Sequence, residues 1–105
     1  MKVLKFGGTS VGTVASIRSV LNIVKSAHDN HEKPLVVLSA MSGVTNLLLK
    51  MAESAAIRRP FDVDLQFLED KHFLVVRELI AIKYQNPVFT KLKLMIKFMK
   101  YKLKA

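Results

Sequence analysis

The sequence predicts an α/β fold with a short parallel sheet. Two segments typical of strands, the loosely alternating residues 1–6 and the apolar run 35–38, flank a segment in which apolar residues recur at helical spacing. Strand, helix and strand in this order are typical of a right-handed βαβ unit with parallel strands. Half of the residues are hydrophobic, which favours a packed core over disorder. The length of 105 residues allows a single small domain at most.

The elements of this unit follow from local patterns. A helix is predicted after Val11, with Ser10 as a plausible N-cap. A polar turn covers residues 28–33. Pro34 then leads into a continuous apolar run that is typical of a strand covered on both faces. The apolar positions of the helix are Val14, Ile17, Val20, Leu21, Val24 and Ala27.

Three more helices are predicted after the second strand. The first follows a Ser/Gly-rich loop, residues 40–46, and ends at residues 58–60. Asp62 or Asp64 is expected to cap the next helix, whose apolar stripe is Leu65, Leu68, His72, Val75, Leu79 and Ile82. Asn86 and Pro87 predict the start of the last helix, with the stripe Phe89, Leu92, Ile96, Met99 and Leu103.

The first strand ends in a pattern suited to a phosphate group. Lys5 precedes Gly7 and Gly8, and two hydroxyl residues, Thr9 and Ser10, follow. Glycines let backbone amides approach an anion, a helix N-terminus adds further N–H groups, and a lysine adds a mobile positive charge. The order of residues fits neither the Walker A loop nor the dinucleotide fingerprint. The alternative interpretation of the same residues is a tight strand-to-helix turn with a solvated lysine.

Two motifs in this chain resemble those of one enzyme family. KFGGTSV, residues 5–11, looks like the N-terminal signature of aspartokinases within the amino-acid kinase family, and VVLSAMSGVTNL, residues 36–47, is similar to that family's second strand and loop. The resemblance continues more loosely through the helix with His72 and fades after about Met95. It implies a partial Rossmann-like three-layer (αβα) amino-acid-kinase unit, and somewhat favours the type fused to homoserine dehydrogenase.

The resemblance also implies an activity and its site residues. The activity is ATP-dependent phosphorylation of the L-aspartate β-carboxylate, with Mg²⁺ accompanying ATP. Lys5 would contact the transferring phosphoryl group, while Gly7, Gly8, Thr9 and Ser10 would line the phosphate cradle. Ser39 and Thr45 would bind aspartate, and an N-cap role for Thr45 is the alternative. Because parallel strands deliver their loops to one edge of a sheet, both motifs are expected on the same side.

The other candidate residues favour structural roles. His72 lies on an apolar stripe, where a buried, hydrogen-bonded histidine is the favoured interpretation over catalysis. His28 and His31 lie in a polar turn and are interpreted as surface residues, and no metal site is predicted. Gly43 is expected to serve a turn. The absence of cysteine excludes disulfides, thiolate metal sites and cysteine nucleophiles.

Positive charge is concentrated at the C-terminal end. The net charge is +9, and residues 79–105 contain seven lysines and no acidic residue. We therefore divide the chain into residues 1–86, the N-terminal part of an aspartokinase catalytic domain, and residues 87–105, a basic amphipathic helical tail. The tail is interpreted as an unselected end from a truncated or shifted reading frame. The alternative is a non-catalytic basic module, in which residues 88–105 bind an anionic membrane or nucleic acid.

The partners expected are ATP and L-aspartate, with no nucleic acid and no membrane. The chain is shorter than half of a full aspartokinase catalytic domain, so the resemblance predicts an N-terminal portion that is inactive alone and belongs to a homo-oligomer at full length. The sequence contains neither a signal-peptide pattern nor an apolar run long enough to span a bilayer. A cytoplasmic location is expected.

Overall fold

The computed structural model describes residues 1–104, which confirm the predicted α/β class with a short parallel sheet. The chain forms two compact units, Met1–Thr45 and a second that begins at Asn46. The elements in chain order are β1 (Lys2–Phe6), α1 (Val14–Asp29), β2 (Pro34–Leu38), α2 (Val44–Ala56), α3 (Asp62–Leu79) and α4 (Ile82–Lys104).

The sheet of the first unit has two parallel strands in register, from Lys2 opposite Pro34 to Phe6 opposite Leu38. Leu4, Phe6 and Val36 share the half-buried face, on the side of α1. The other face is open: Val3, Leu35 and Val37 are 61%, 49% and 44% exposed. The prediction that the second strand is covered on both faces is therefore wrong for the described residues, because α1 covers one face only.

Helix α1 begins later than predicted. Its N-cap is Thr13, whose Oγ1 accepts a hydrogen bond from the Ser16 backbone N–H at 3.1 Å. The N-cap prediction for Ser10 is wrong because residues 9–13 form turns before the helix. Val20 and Ala27 are buried, as the apolar stripe predicts, but Leu21 is 52% exposed.

Helices α1 and α2 end in the same backbone motif without glycine. His31 and Arg58 have φ values of 59° and 58°, in the left-handed region. After α1, the amides of His31 and Glu32 donate to the carbonyls of His28 and Ala27, both at 3.0 Å. After α2, the amides of Arg58 and Arg59 donate to the carbonyls of Ala55 and Ser54, at 3.1 and 2.8 Å. This is the Schellman pattern, in which glycine is the usual left-handed residue.

Helix α3 begins without the predicted aspartate cap. Its N-cap is Phe61, with no side-chain cap hydrogen bond. Asp62 and Asp64 instead lie in the first turn, where their negative charge interacts favourably with the helix dipole. Asp64 also pairs with Lys50 of α2 at 3.4 Å. The buried side chains of α3 are Leu65, Leu68, Phe73 and Val76.

Helix α4 begins at Ile82, which is 86% exposed and does not continue the α3 stripe. The predicted start at Asn86 and Pro87 is wrong, because Pro87 lies inside the helix. The Gln85 side chain donates to the Ile80 carbonyl at 2.8 Å and so ties the start of α4 to the end of α3. The predicted α4 stripe is confirmed as its half-buried face: Phe89, Leu92, Ile96, Met99 and Leu103.

Helices α3 and α4 form an antiparallel hairpin. The Phe73 and Phe89 rings meet edge to face with centroids 4.9 Å apart, while a groove of about 360 Å³ brings Asp62 and Leu65 near Ile96 and Lys100. His72 Nδ1 lies 2.7 Å from the Leu68 carbonyl oxygen, so the hydrogen bond predicted for this histidine is present, while its burial is only partial. Across residues 1–104, no helix combines the length and apolarity that crossing a bilayer would need.

Candidate functional site

The two predicted motifs leave the sheet at the same edge. The Ser39 backbone N–H, the first after β2, donates to the Phe6 carbonyl oxygen, the last of β1, at 3.1 Å. The strands therefore end at the same level. The first loop, residues 7–13, and the second loop, residues 39–43, begin side by side within the first unit. In parallel sheets this edge is where ligands usually bind.

The first loop consists of two consecutive turns. The Ser10 amide donates to the Gly7 carbonyl at 3.1 Å, and the Gly12 amide donates to the Thr9 carbonyl at 3.3 Å. Within residues 1–104, the backbone amides of Gly8 and Thr9 donate no hydrogen bond. The side chains of Thr9 and Ser10 are exposed. The loop therefore presents free amides and hydroxyls, which are donors that an oxyanion accepts.

The second loop ends in a glycine-dependent turn. Gly43 has a φ of +83°, which confirms the turn predicted for it. The next amide, Val44, donates to the Met41 carbonyl at 3.0 Å. Because α2 begins at Val44, Thr45 lies inside the first turn, and the N-cap alternative for Thr45 is wrong. Ser39 and Thr45 are both exposed.

The loops continue side by side beyond the strands. A Cβ built on Gly8 would lie 3.5 Å from the Ala40 carbonyl oxygen, and one built on Gly12 would lie 3.1 Å from the Ser42 Cβ. Gly7 has no atom within 4 Å of an added Cβ and therefore borders open space. The two loops form one surface, with the open side at Gly7.

Lys5 lies just before this surface, on the open face of the sheet. It alternates with Leu4 and Phe6 along β1 and is paired in register with Val37. Its side chain is exposed and forms no ion pair or hydrogen bond among residues 1–104. The ammonium group is thus available to an anionic ligand.

Charge in the first unit is arranged in favour of anions at the loops. Its acidic residues, Asp29 and Glu32, lie at the opposite end of the sheet, and residues 7–13 and 39–45 contain none. Glu32 Oε2 is shielded from solvent and lies 2.9 Å from Lys2 Nζ, an ion pair whose angles are not those of a hydrogen bond. Among residues 1–104, no three acidic or histidine side chains form a group that could hold a metal ion.

A second ion pair lies on α1, outside both loops. The hydrogen bond and charge of Lys25, 2.9 Å away, hold the pKa of Asp29 below its ordinary value. The same hydrogen bond and charge raise the pKa of Lys25. Both side chains are exposed, so this pair lies on the helix surface and not in the candidate site.

Three residues that shape the loops were not predicted from the sequence. Thr13 caps α1, Gly12 lies against the second loop, and Ser42 is its contact there. Thr13 was detectable, because it is a hydroxyl residue directly before the helical run at Val14. The contact between Gly12 and Ser42 joins positions thirty residues apart, and no local pattern signals it.

Comparison with known proteins agrees with this geometry. The profile of the amino acid kinase family matches residues 1–102, nearly the whole chain. The chain belongs to the amino acid kinase family. The match includes most of the basic C-terminal helix as well as both loops. It gives no support to the alternative in which the chain is a basic module for membranes or nucleic acid.

The curated relatives are aspartokinases of both kinds. Aspartokinase 2, chloroplastic, of Arabidopsis thaliana is 38% identical over 81 residues, which is 73% of this chain and 14% of that protein. An aspartate kinase of Stutzerimonas stutzeri is 47% identical over 64 residues, 58% of this chain and 16% of that protein. The bifunctional aspartokinase/homoserine dehydrogenase 2, chloroplastic, of Arabidopsis thaliana is 42% identical over 79 residues, 72% of this chain and 8% of that protein. The chain thus spans less than a fifth of these relatives.

Proposed function

We propose that residues 1–45 form the phosphate- and aspartate-binding part of an aspartate kinase. In this reaction a β-carboxylate oxygen of L-aspartate attacks the γ-phosphorus of ATP, the bond to the bridging oxygen breaks, and ADP leaves with that electron pair. The product is 4-phospho-L-aspartate. The observation that carries the proposal is the pairing of the two loops at one sheet edge, in a chain whose curated relatives are aspartokinases.

Lys5 is assigned to the transferring phosphoryl group. Phosphoryl transfer depends mainly on positioning and on offsetting negative charge in the transition state. Lys5 is exposed, lacks an ion-pair partner among residues 1–104 and lies at the strand end that leads into the first loop. Mg²⁺ arrives with ATP as part of the co-substrate, which fits a unit with no acidic residue in its loops.

The first loop is assigned to the phosphates. The free amides of Gly8 and Thr9 and the hydroxyls of Thr9 and Ser10 supply donors. The open space beside Gly7 leaves room for the anion. Helix α1 contributes less than a helix capped by Ser10 would, because its N-cap is Thr13, three residues later, and the Thr13 side chain already accepts a hydrogen bond there.

The second loop and the first turn of α2 are assigned to aspartate. The hydroxyls of Ser39 and Thr45 are exposed and form no hydrogen bond among residues 1–104. Each can donate to a substrate carboxylate. Their position beside the phosphate loop would bring the β-carboxylate toward the γ-phosphoryl group.

The finer features of the fold and assembly belong to the same proposal. We propose that the sheet is part of a Rossmann-like three-layer unit, since the apolar side chains of Val3, Leu35 and Val37 suit a covering layer. Residues 1–86 as a kinase segment and residues 87–105 as a basic tail stay a prediction, and α4 runs without interruption across residue 87. Homo-oligomerisation at full length and a cytoplasmic location also stay predictions. The relatives include chloroplastic proteins, so they do not assign one compartment.

We also propose that the 105 residues alone do not catalyse phosphorylation of aspartate. The substrate ammonium group needs a negative partner, and residues 7–13 and 39–45 contain no carboxylate. Positioning both substrates supplies most of the catalysis in phosphoryl transfer. The chain incubated with ATP, Mg²⁺ and aspartate should release no ADP above background. Aspartate-dependent ADP formation that Lys5→Ala abolishes would show that these residues assemble a complete site.

The proposal is tested by comparing two lysines of the same strand. Lys5→Ala should weaken binding of ATP with Mg²⁺ to the 105-residue chain by about tenfold, the effect of losing a charge-assisted hydrogen bond worth about 1.5 kcal/mol. Lys2→Ala, at the opposite end of β1, is the matched control and should change the dissociation constant by less than about twofold. Equal losses would indicate attraction by net charge alone. No binding by the unsubstituted chain, or no loss in Lys5→Ala, would refute the assignment.

A further inference from the structure

The two loops meet at a second point, beyond the hydrogen bond between Ser39 and Phe6. A Cβ on Gly12 would lie 3.1 Å from the Ser42 Cβ and 3.2 Å from the Gly8 carbonyl oxygen. Real Cβ atoms rarely approach neighbours this closely, so a side chain at this position would press on the second loop and on the backbone of the first loop. In the first loop this close approach involves the backbone at Gly12. In the second loop it involves the Cβ of Ser42, an atom whose position is set by the backbone.

Space, rather than backbone conformation, requires glycine here. Among residues 1–104, Gly43 alone of the glycines has a positive φ. The backbone of Gly12 therefore permits an alanine. The cost of that substitution comes from displacing Ser42 of the second loop, 3.1 Å from the added Cβ, and the carbonyl oxygens of residues 8 and 9 in the first loop, 3.2 and 3.4 Å away. Gly8 and Gly7 differ, since an added Cβ would be in ordinary contact at 3.5 Å in Gly8 and in open space in Gly7.

We propose that Gly12 is a positioning residue that sets the separation of the phosphate loop from the aspartate loop, an inference that rests on the function proposed above. The Ser39–Phe6 hydrogen bond fixes the two loops where they begin, and the Gly12–Ser42 contact fixes them further along. Ser42 lies between Ser39 and Thr45, the residues assigned to aspartate. A displacement of Ser42 therefore moves the carboxylate site relative to the phosphates.

Such a displacement affects the two ligands together. Reacting atoms in a productive complex lie about 3–3.5 Å apart, and a misplacement of about 1 Å costs large factors in rate. Neither Gly12 nor Ser42 needs to touch a ligand for this effect. The effect should therefore appear in how strongly one ligand favours the other, more than in the affinity for ATP alone.

The ligand-free experiment uses amide NMR spectra of the 105-residue chain. Gly12→Ala should shift the amide signals of residues 39–43. Adding Ser42→Gly, which removes the nearest atom, should bring the signals of Ser39 and Ala40 back toward those of the Ser42→Gly single variant. Gly8→Ala is the matched control and should leave those signals in place. Ser42→Val, which enlarges the same contact from the other loop, should shift the amide signals of residues 8–12 in the first loop, and serves if Gly12→Ala does not fold.

The ligand experiment measures the dissociation constant of aspartate with and without a non-hydrolysable ATP analogue. Gly12→Ala should reduce the coupling between the two ligands by about fivefold, the lower end of typical coupling between sites, and Ser42→Gly should restore part of it. A change in ATP affinity alone, or no rescue by Ser42→Gly, would refute the positioning role. If the unsubstituted chain binds neither ligand, the proposed function fails and the positioning role fails with it. Unchanged 39–43 signals in folded Gly12→Ala would refute the loop contact itself and leave the proposed function standing.

Discussion

The Ser39 backbone N–H donates a hydrogen bond to the Phe6 carbonyl oxygen at 3.1 Å, directly after the last paired residues of the two strands. This bond extends the parallel pairing by one step, so that both loops leave the sheet at the same level. Everything assigned to the candidate site follows from that alignment. Lys5 precedes one loop, and Thr45 follows the other.

Thr45→Val should weaken aspartate binding with little effect on ATP. The substitution keeps the side-chain shape but removes the hydroxyl, which leaves a substrate carboxylate without a donor at a cost of about 1–3 kcal/mol. Titrations of the chain with each ligand measure the two dissociation constants. A change confined to ATP would place Thr45 in the phosphate site instead.

Thr13→Ala should lower the free energy of unfolding by about 1 kcal/mol, because it removes the side chain that caps α1. Ser10→Ala is the control, since Ser10 lies in the turn before the helix and should change stability by less than about 0.5 kcal/mol. Urea denaturation followed by circular dichroism distinguishes the two. The reverse ranking would return the cap to Ser10.

The elements were predictable where the pattern is local. Both strands, all four helices and the half-buried stripe of α4 follow from apolar spacing. The helix starts were less predictable, because a hydroxyl residue such as Ser10 and a pair such as Asn86 and Pro87 mark starts only by statistical preference. At α4 the Gln85 side chain, bonded to the Ile80 carbonyl, favours an earlier start, and this bond depends on the preceding helix.

Arg58→Gly should raise the free energy of unfolding by about 0.5 kcal/mol. A non-glycine residue in the left-handed region costs about 1–2 kcal/mol, and part of that gain is offset by the greater entropy of glycine in the unfolded chain. His31→Gly should act in the same direction at the end of α1. Arg59→Gly is the control, because φ at Arg59 is not positive, and it should not stabilise. Destabilisation by both Arg58→Gly and His31→Gly would contradict the Schellman assignment.

Leu35→Lys should reduce self-association of the chain. Leu35 lies on the open, apolar face of a two-stranded sheet, and among residues 1–104 no further strand pairs with the outer edges of that sheet. Such a surface favours pairing with another chain. Leu94→Lys is the control: Leu94 is similarly exposed, but it lies on α4, whose seven lysines repel a second copy. Sedimentation velocity at several concentrations measures the effect. Equal reduction by both substitutions would move the association surface away from the sheet.

The candidate site was predictable where its residues form local sequence patterns. Lys5 and the two hydroxyl motifs stand out in the sequence, and parallel strands imply that their loops share an edge. The close approach of Gly12 to Ser42 could not be predicted, because it depends on how two turns thirty residues apart pack. The open sheet face was also unexpected, since a continuous apolar strand favours burial on both sides, and in the first unit α1 covers only one of them.

Residue-resolved NMR titration of the ¹⁵N-labelled chain tests the central claim most directly. ATP with Mg²⁺ should shift the amide signals of residues 7–13, and L-aspartate should shift those of residues 39–45. The amides of α4 should move little at physiological salt, where attraction between exposed charges is screened. Shifts confined to the lysine-rich helix, with both loops unchanged, would contradict the account and assign ligand binding to the net positive charge of α4.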